Sequence, residues 1–174
     1  MNKKQIRILI AFVVVVLVAV FGGLALVNFK PGPSAQVKKA GAEIRAIYEL
    51  DTQLVAAARL GVKNSDNTRV LTFATELQDF AQFQKQTLHD WFNTKNLKID
   101  EVTSATDLTL GRGYLQQMSN KKLTVFDELF KKYLDDLIVK LATIDTKTQF
   151  VDPEVAKAFK EVKGEVSGVR ALIG

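Results

Sequence analysis

The sequence predicts an all-α protein: one N-terminal transmembrane helix followed by an antiparallel four-helix bundle. Three observations carry this expectation. An uncharged apolar run lies near the N-terminus. Apolar residues recur at steps of three and four through the rest of the chain. No pair of alternating apolar runs flanks a hairpin turn, so nothing reads as a sheet.

The apolar run, Ile8 to Val27, is twenty residues without a charge. As a helix it spans about 30 Å, the thickness of a bilayer core. Its valines are poor helix formers in water, but in lipid the backbone must satisfy its own hydrogen bonds, and helix is the solution for a lone span. Lys3, Lys4 and Arg7 precede the run and only Lys30 follows closely. The positive-inside rule then places the N-terminus in the cytoplasm and the remainder outside the cell membrane. The alternative is a cleaved signal peptide, with Gly23 and Ala25 before the cut, which yields a secreted or periplasmic domain. The domain reading is therefore 1–29 as cytoplasmic tip and anchor, 30–36 as a stiff Pro/Gly linker around Pro31 and Pro33, and 37–174 as the extracytoplasmic bundle.

Charge supports that division. Of 24 basic residues, Lys3, Lys4, Arg7 and Lys30 belong to the anchor, leaving 20 against 19 acids. The high isoelectric point is thus mostly a property of the anchor, and no clustered basic face marks a nucleic-acid binder. With no cysteine, disulfides, thiol nucleophiles and Cys-ligated zinc are excluded.

Helix one is expected over 36–62, with Ile44, Ile47, Leu50, Leu54, Ala58 and Val62 on its stripe. Asn64-Ser65-Asp66-Asn67 breaks it and caps the next helix, 66–96, whose stripe carries Val70, Phe73, Ala74, Leu77, Phe80, Ala81, Leu88 and Trp91. Residues 97–112 read as a connection, Gly111 and Gly113 arguing against helix, with a short turn holding Tyr114, Leu115 and Met118. Helix three, 120–148, has the clearest pattern: Leu123, Phe126, Phe130, Leu134, Leu137, Leu141 and Ile144. Asp152-Pro153-Glu154 opens helix four with a cap, a proline at the first helical position and an acid in the first turn. The four apolar stripes have only one another to pack against.

Candidates for chemistry are few. The single histidine, His89, has Gln86 three residues before it, so no Glu-x-x-His metal motif exists, and it reads as a partly exposed polar residue. Asp127-Glu128 and Asp135-Asp136, with Lys131, Lys132 and Lys140, read as a solvated face laced with i,i+4 ion pairs. Gly111-Arg112-Gly113 lacks the context of a phosphate loop. Within the aromatic cluster of helix two, Phe83 and Phe92 fall at the stripe's edge and are the expected partner surface. Gln84 and Thr87 interrupt the stripe beside Trp91 and mark a possible polar pocket.

Phe73-Ala74 with Leu77 and Leu88, then Phe126-Asp127 with Phe130 and Leu134, resembles an exported, ferritin-like bundle family of unknown function found in outer membrane or periplasm. The upstream LVAAARLGVKNSDNTRV resembles that family's first helix and turn, and the likeness covers roughly residues 45–148. The family has an Asp-His pair in helix two and a His in helix three; here Phe80-Ala81 and Ile138 hold those places. The resemblance implies fold and export without the family's polar residues. The expected function is a non-enzymatic, membrane-tethered module of the cell envelope, with no cofactor. It would hold the membrane through residues 8–27 and bind an envelope protein or itself. The alternatives are a small-ligand sensing domain and, third, a ferritin-like redox or metal protein.

Overall fold

The computed structural model describes residues 33–174. The expected anchor, its span at 8–27 and the first residues of the linker lie outside the described residues. Among those described, no helix is long and apolar enough to cross a membrane.

The described chain is all-α, with five α-helices and no strand. Helix α1 is Ala35–Asn64, α2 Thr68–Thr94, α3 Arg112–Ser119, α4 Leu123–Lys147 and α5 Pro153–Ile173. Local chemistry sets their ends. The Ser34 hydroxyl accepts from the Val37 amide at 3.2 Å, so helix begins inside the expected linker. The Asn67 side chain caps α2 through the Arg69 amide. Asp152 accepts from the Glu154 amide at 2.8 Å, with Pro153 at the first helical position.

Helices α1 and α2 run antiparallel and approach closely. A methyl built on Gly61 would stand 2.7 Å from the Ala74 methyl, so the small residues set this spacing. On the other flank of α2, Gln84 donates to the Ala158 carbonyl of α5 at 3.0 Å. Arg170–Asp135 at 2.8 Å and Lys163–Asp145 at 2.6 Å then tie α5 to α4 in antiparallel sense. The shared core holds Ile44, Leu54, Leu77, Phe126, Phe130, Leu134, Phe159 and Val166, all essentially inaccessible.

Several expectations are corrected. Residues 97–112 carry a 3-10 turn, Ile99–Glu101, and Gly113 sits within the first turn of α3. Gly111 alone, at φ 76°, holds a left-handed conformation before it. The short turn expected at Tyr114–Met118 is a helix that buries Met118. Val62 is 46% exposed because the buried face of α1 continues through Ala58, Gly61 and Asn64 and passes it by. On α4, Lys132–Asp136 is an i,i+4 pair as expected, but Asp135 reaches α5, while Lys140 approaches Asp107 of the connection.

The 97–112 connection is ordered by side chains from α1. Arg45 donates to the Ile99 carbonyl at 2.8 Å and pairs with Glu49 and Asp100. Gln53 reads the backbone with both ends of its amide, donating to the Gly111 carbonyl at 3.0 Å and accepting from the Leu110 amide at 2.9 Å. Its oxygen also accepts from the buried Tyr133 hydroxyl at 3.3 Å. Gln53→Ala leaves these groups unpaired, and we expect a loss of about 2 kcal/mol in urea unfolding. A loss within about 0.5 kcal/mol would mean that water replaces the amide without penalty.

Candidate functional site

Two grooves flank α2. The first, of about 400 Å³, lies between α2 and α5. Ile44, Leu88 and Ala158 form its apolar floor, Trp91 one wall, and Thr87, Asp90, Thr94 and Lys95 the α2 rim. Glu154, Lys157 and Glu161 supply the α5 rim, where Lys157 and Glu161 pair at 3.7 Å. The rim carries three acids against two bases and is mildly acidic. Trp91 carries the notable feature: its indole N–H is buried and has no acceptor. An unpaired buried donor of this kind costs about 1–3 kcal/mol. Its ring packs edge-on against Phe92, with centroids 5.5 Å apart.

The residues singled out in the sequence fall into three environments. Thr87 and Trp91 both line this groove, and Gln84 lies beneath it, bonded to the carbonyl of lining residue Ala158. The Gln84 amide oxygen is buried without a partner. Thr87 is exposed and donates its hydroxyl to the Phe83 carbonyl. Phe83 is 76% exposed. It lies one turn before Gln86 and Thr87, which face different grooves, so it stands on the ridge between them.

Phe92 corrects the expected partner surface, because it is only 1% exposed. The chain turns back over it: the Leu97 amide donates to the Phe92 carbonyl at 3.0 Å. Leu97, Val102 and Phe92 then close around Gly41, whose missing side chain makes room for them. Helical spacing alone cannot see that return.

The second groove, of about 670 Å³, follows the α1–α2 seam. Tyr48, Thr52, Val55, Ala56 and Arg59 line one side, and Gln82, Lys85, Gln86 and His89 the other. His89 is exposed, with Nδ1 3.2 Å from the Asn93 amide. Beneath the groove lies Asp51, one turn from the lining residues Tyr48 and Val55. It is fully buried and neither carboxylate oxygen has a partner. Desolvation raises its pKa well above the usual carboxylate value, with the Lys85 charge opposing. Because Gly61 faces Ala74, counting ten residues back along α1 and ten forward along α2 sets Asp51 level with Gln84. Periodicity does not single out Asp51; the available signal is an aspartate beside Leu50 and Leu54 in an apolar stripe.

The comparisons with known proteins place the fold. The chain is similar to a DUF305 fragment from Deinococcus radiodurans, known from its crystal structure. The TM-score is 0.65, over 83% of this chain and 99% of that one, at 12% identity. At that identity the likeness concerns the fold alone. No protein-family model matches the chain, and no curated protein does. The ferritin-like resemblance thus rests on the residues that suggested it. Among the described residues, no three His, Cys, Asp or Glu side chains converge as metal ligands.

Proposed function

We propose that this protein is a non-enzymatic binding module of the cell envelope, tethered by residues 1–29, with its ligand site in the α2–α5 groove. We read the long helices α1, α2, α4 and α5 as an antiparallel four-helix bundle of ferritin-like type. The observation that carries the ligand reading is the Trp91 indole N–H, buried at an apolar groove and lacking an acceptor. A small amphiphile with an apolar body and one carbonyl would satisfy both features: the body covers Ile44, Leu88 and Ala158, and the carbonyl accepts from Trp91 once the indole turns its N–H toward the groove.

Trp91 is the one tryptophan of the chain, so its emission reports the site directly. Titrating octanamide into the full-length protein should shift that emission saturably. Ala158→Leu, which fills the groove, should abolish the response. By calorimetry, Trp91→Phe should weaken binding about tenfold, the worth of one hydrogen bond. No saturable shift, or an unchanged response in Ala158→Leu, would sink this reading.

A second reading, docking of an envelope protein or another copy, is favoured by one observation: Phe83 is 76% exposed on the ridge of α2. Cross-linking in native membranes should then give a specific adduct that Phe83→Asp eliminates. An adduct unaffected by that change would exclude Phe83 as the contact.

A further inference from the structure

We propose that the α1–α2 groove binds an elongated oligoanion, with Arg59 and Lys85 as its principal charge contacts and Tyr48 as an aromatic wall. Four observations lead there. Both helices contribute cations to one groove, Arg59 from α1 and Lys85 from α2, with His89 beside them, and no carboxylate lines it. That is unusual in a region whose basic and acidic residues nearly balance. Among the described residues, neither Arg59 nor Lys85 forms an ion pair, whereas Arg45, Lys132, Lys140, Lys163 and Arg170 each have a carboxylate within 4.0 Å. Lys85 is also placed rather than free: its ammonium stands 4.7 Å from the centroid of the Tyr48 ring.

The fourth observation is Asp51. It lies beneath the groove, fully buried with neither oxygen partnered, and that burial disfavours its ionised form, which makes it a poor counter-ion for Lys85. The charge of Lys85 is therefore left for a ligand in the groove.

Length selects the kind of anion. Arg59 lies eleven residues beyond Tyr48, about 16 Å along the helix. One phosphate or carboxylate cannot reach both ends, whereas a linear chain with repeated charges can. The site differs from the Trp91 groove, whose rim has three acids against two bases and which faces the other flank of α2, so either can fail without the other.

Calorimetric titration of the full-length protein with linear polyphosphate of about eight units, a span comparable to the groove, tests this. Orthophosphate serves as the comparison at matched phosphorus concentration. Saturable binding to one site is expected, at least about tenfold tighter than orthophosphate and weakening steeply with salt. Arg59→Gln and Lys85→Gln should each weaken it about fivefold to tenfold. Lys157→Gln with Lys160→Gln, on α5, should leave it unchanged, as should Trp91→Phe. An oligogalacturonate that binds with the same variant dependence would extend the site to carboxylates; one that does not would confine it to phosphates. Absence of saturable binding overturns the proposal. So does an equal loss in the α5 variant, or binding only to vesicles of anionic lipid with none to the soluble chain.

Discussion

Gly61→Ala is expected to lower stability by about 2 kcal/mol, although alanine is the better helix former by about 1 kcal/mol. The reason is the opposing backbone. The added methyl would stand 2.7 Å from the Ala74 Cβ, an atom fixed to α2 that cannot rotate away. The helices must separate, and Phe126 and Phe130, whose rings lie within 4.0 Å of the same position, lose contact as they do. Two comparisons isolate this cause. Gly164→Ala and Gly168→Ala, in α5, add methyls that meet nothing within 4 Å and should each raise stability by about 0.5–1 kcal/mol. The exchange Gly61→Ala with Ala74→Gly restores one methyl at the crossing and should recover most of the loss. Urea unfolding of the parent and these four variants measures all of it. A stabilised Gly61→Ala variant, matching those in α5, would show that α1 and α2 do not approach as described.

That crossing also marks the boundary between what periodicity reveals and what it cannot. The stripes of α1, α2, α4 and α5 are written in steps of three and four, and Asp152-Pro153-Glu154 names its helix start outright, because cap and first turn are local chemistry. Helix α3 is hidden because glycine at its second residue carries a propensity cost that its packing through Met118 overrides. Phe83 and Phe92 look alike at the edge of one stripe. What separates them is the return of Leu97 and Val102 over Phe92, a tertiary event. The association of Gln84, Thr87 and Trp91 is legible because polar residues interrupt an apolar stripe on one face. The α1–α2 groove is not. Its cations come from segments about 26 residues apart, and only the register at Gly61 and Ala74 brings those segments alongside one another.

Asp51→Asn is expected to convert a pH-dependent stability into a flatter one. Asp51 is enclosed in the α1–α2 seam with both oxygens unpartnered. Burial raises its folded-state pKa above the ordinary value of 3.8, and Lys85 of α2, the one charged group acting on it among the described residues, opposes that only in part. The sign follows from linkage. Below pH 3.8 the carboxyl is protonated in both folded and unfolded chains and costs nothing through ionisation. Above it the unfolded chain ionises first, so stability falls by about 1.4 kcal/mol per pH unit until the folded-state pKa is reached, and is level beyond. Asparagine has nearly the same shape and cannot ionise. The variant should therefore match the parent near pH 3.5, apart from a constant offset, and gain on it as pH rises toward neutrality. Lys85→Gln supplies the independent check. Removing the one favourable charge raises the Asp51 pKa further and extends the falling limb to higher pH, whereas the same change made together with Asp51→Asn should leave the profile unaltered. Parallel curves for parent and Asp51→Asn between pH 3.5 and 8 would mean that water or a side-chain rearrangement solvates the carboxylate. The unpaired charge assigned to Lys85 in the groove above it would then lose its basis.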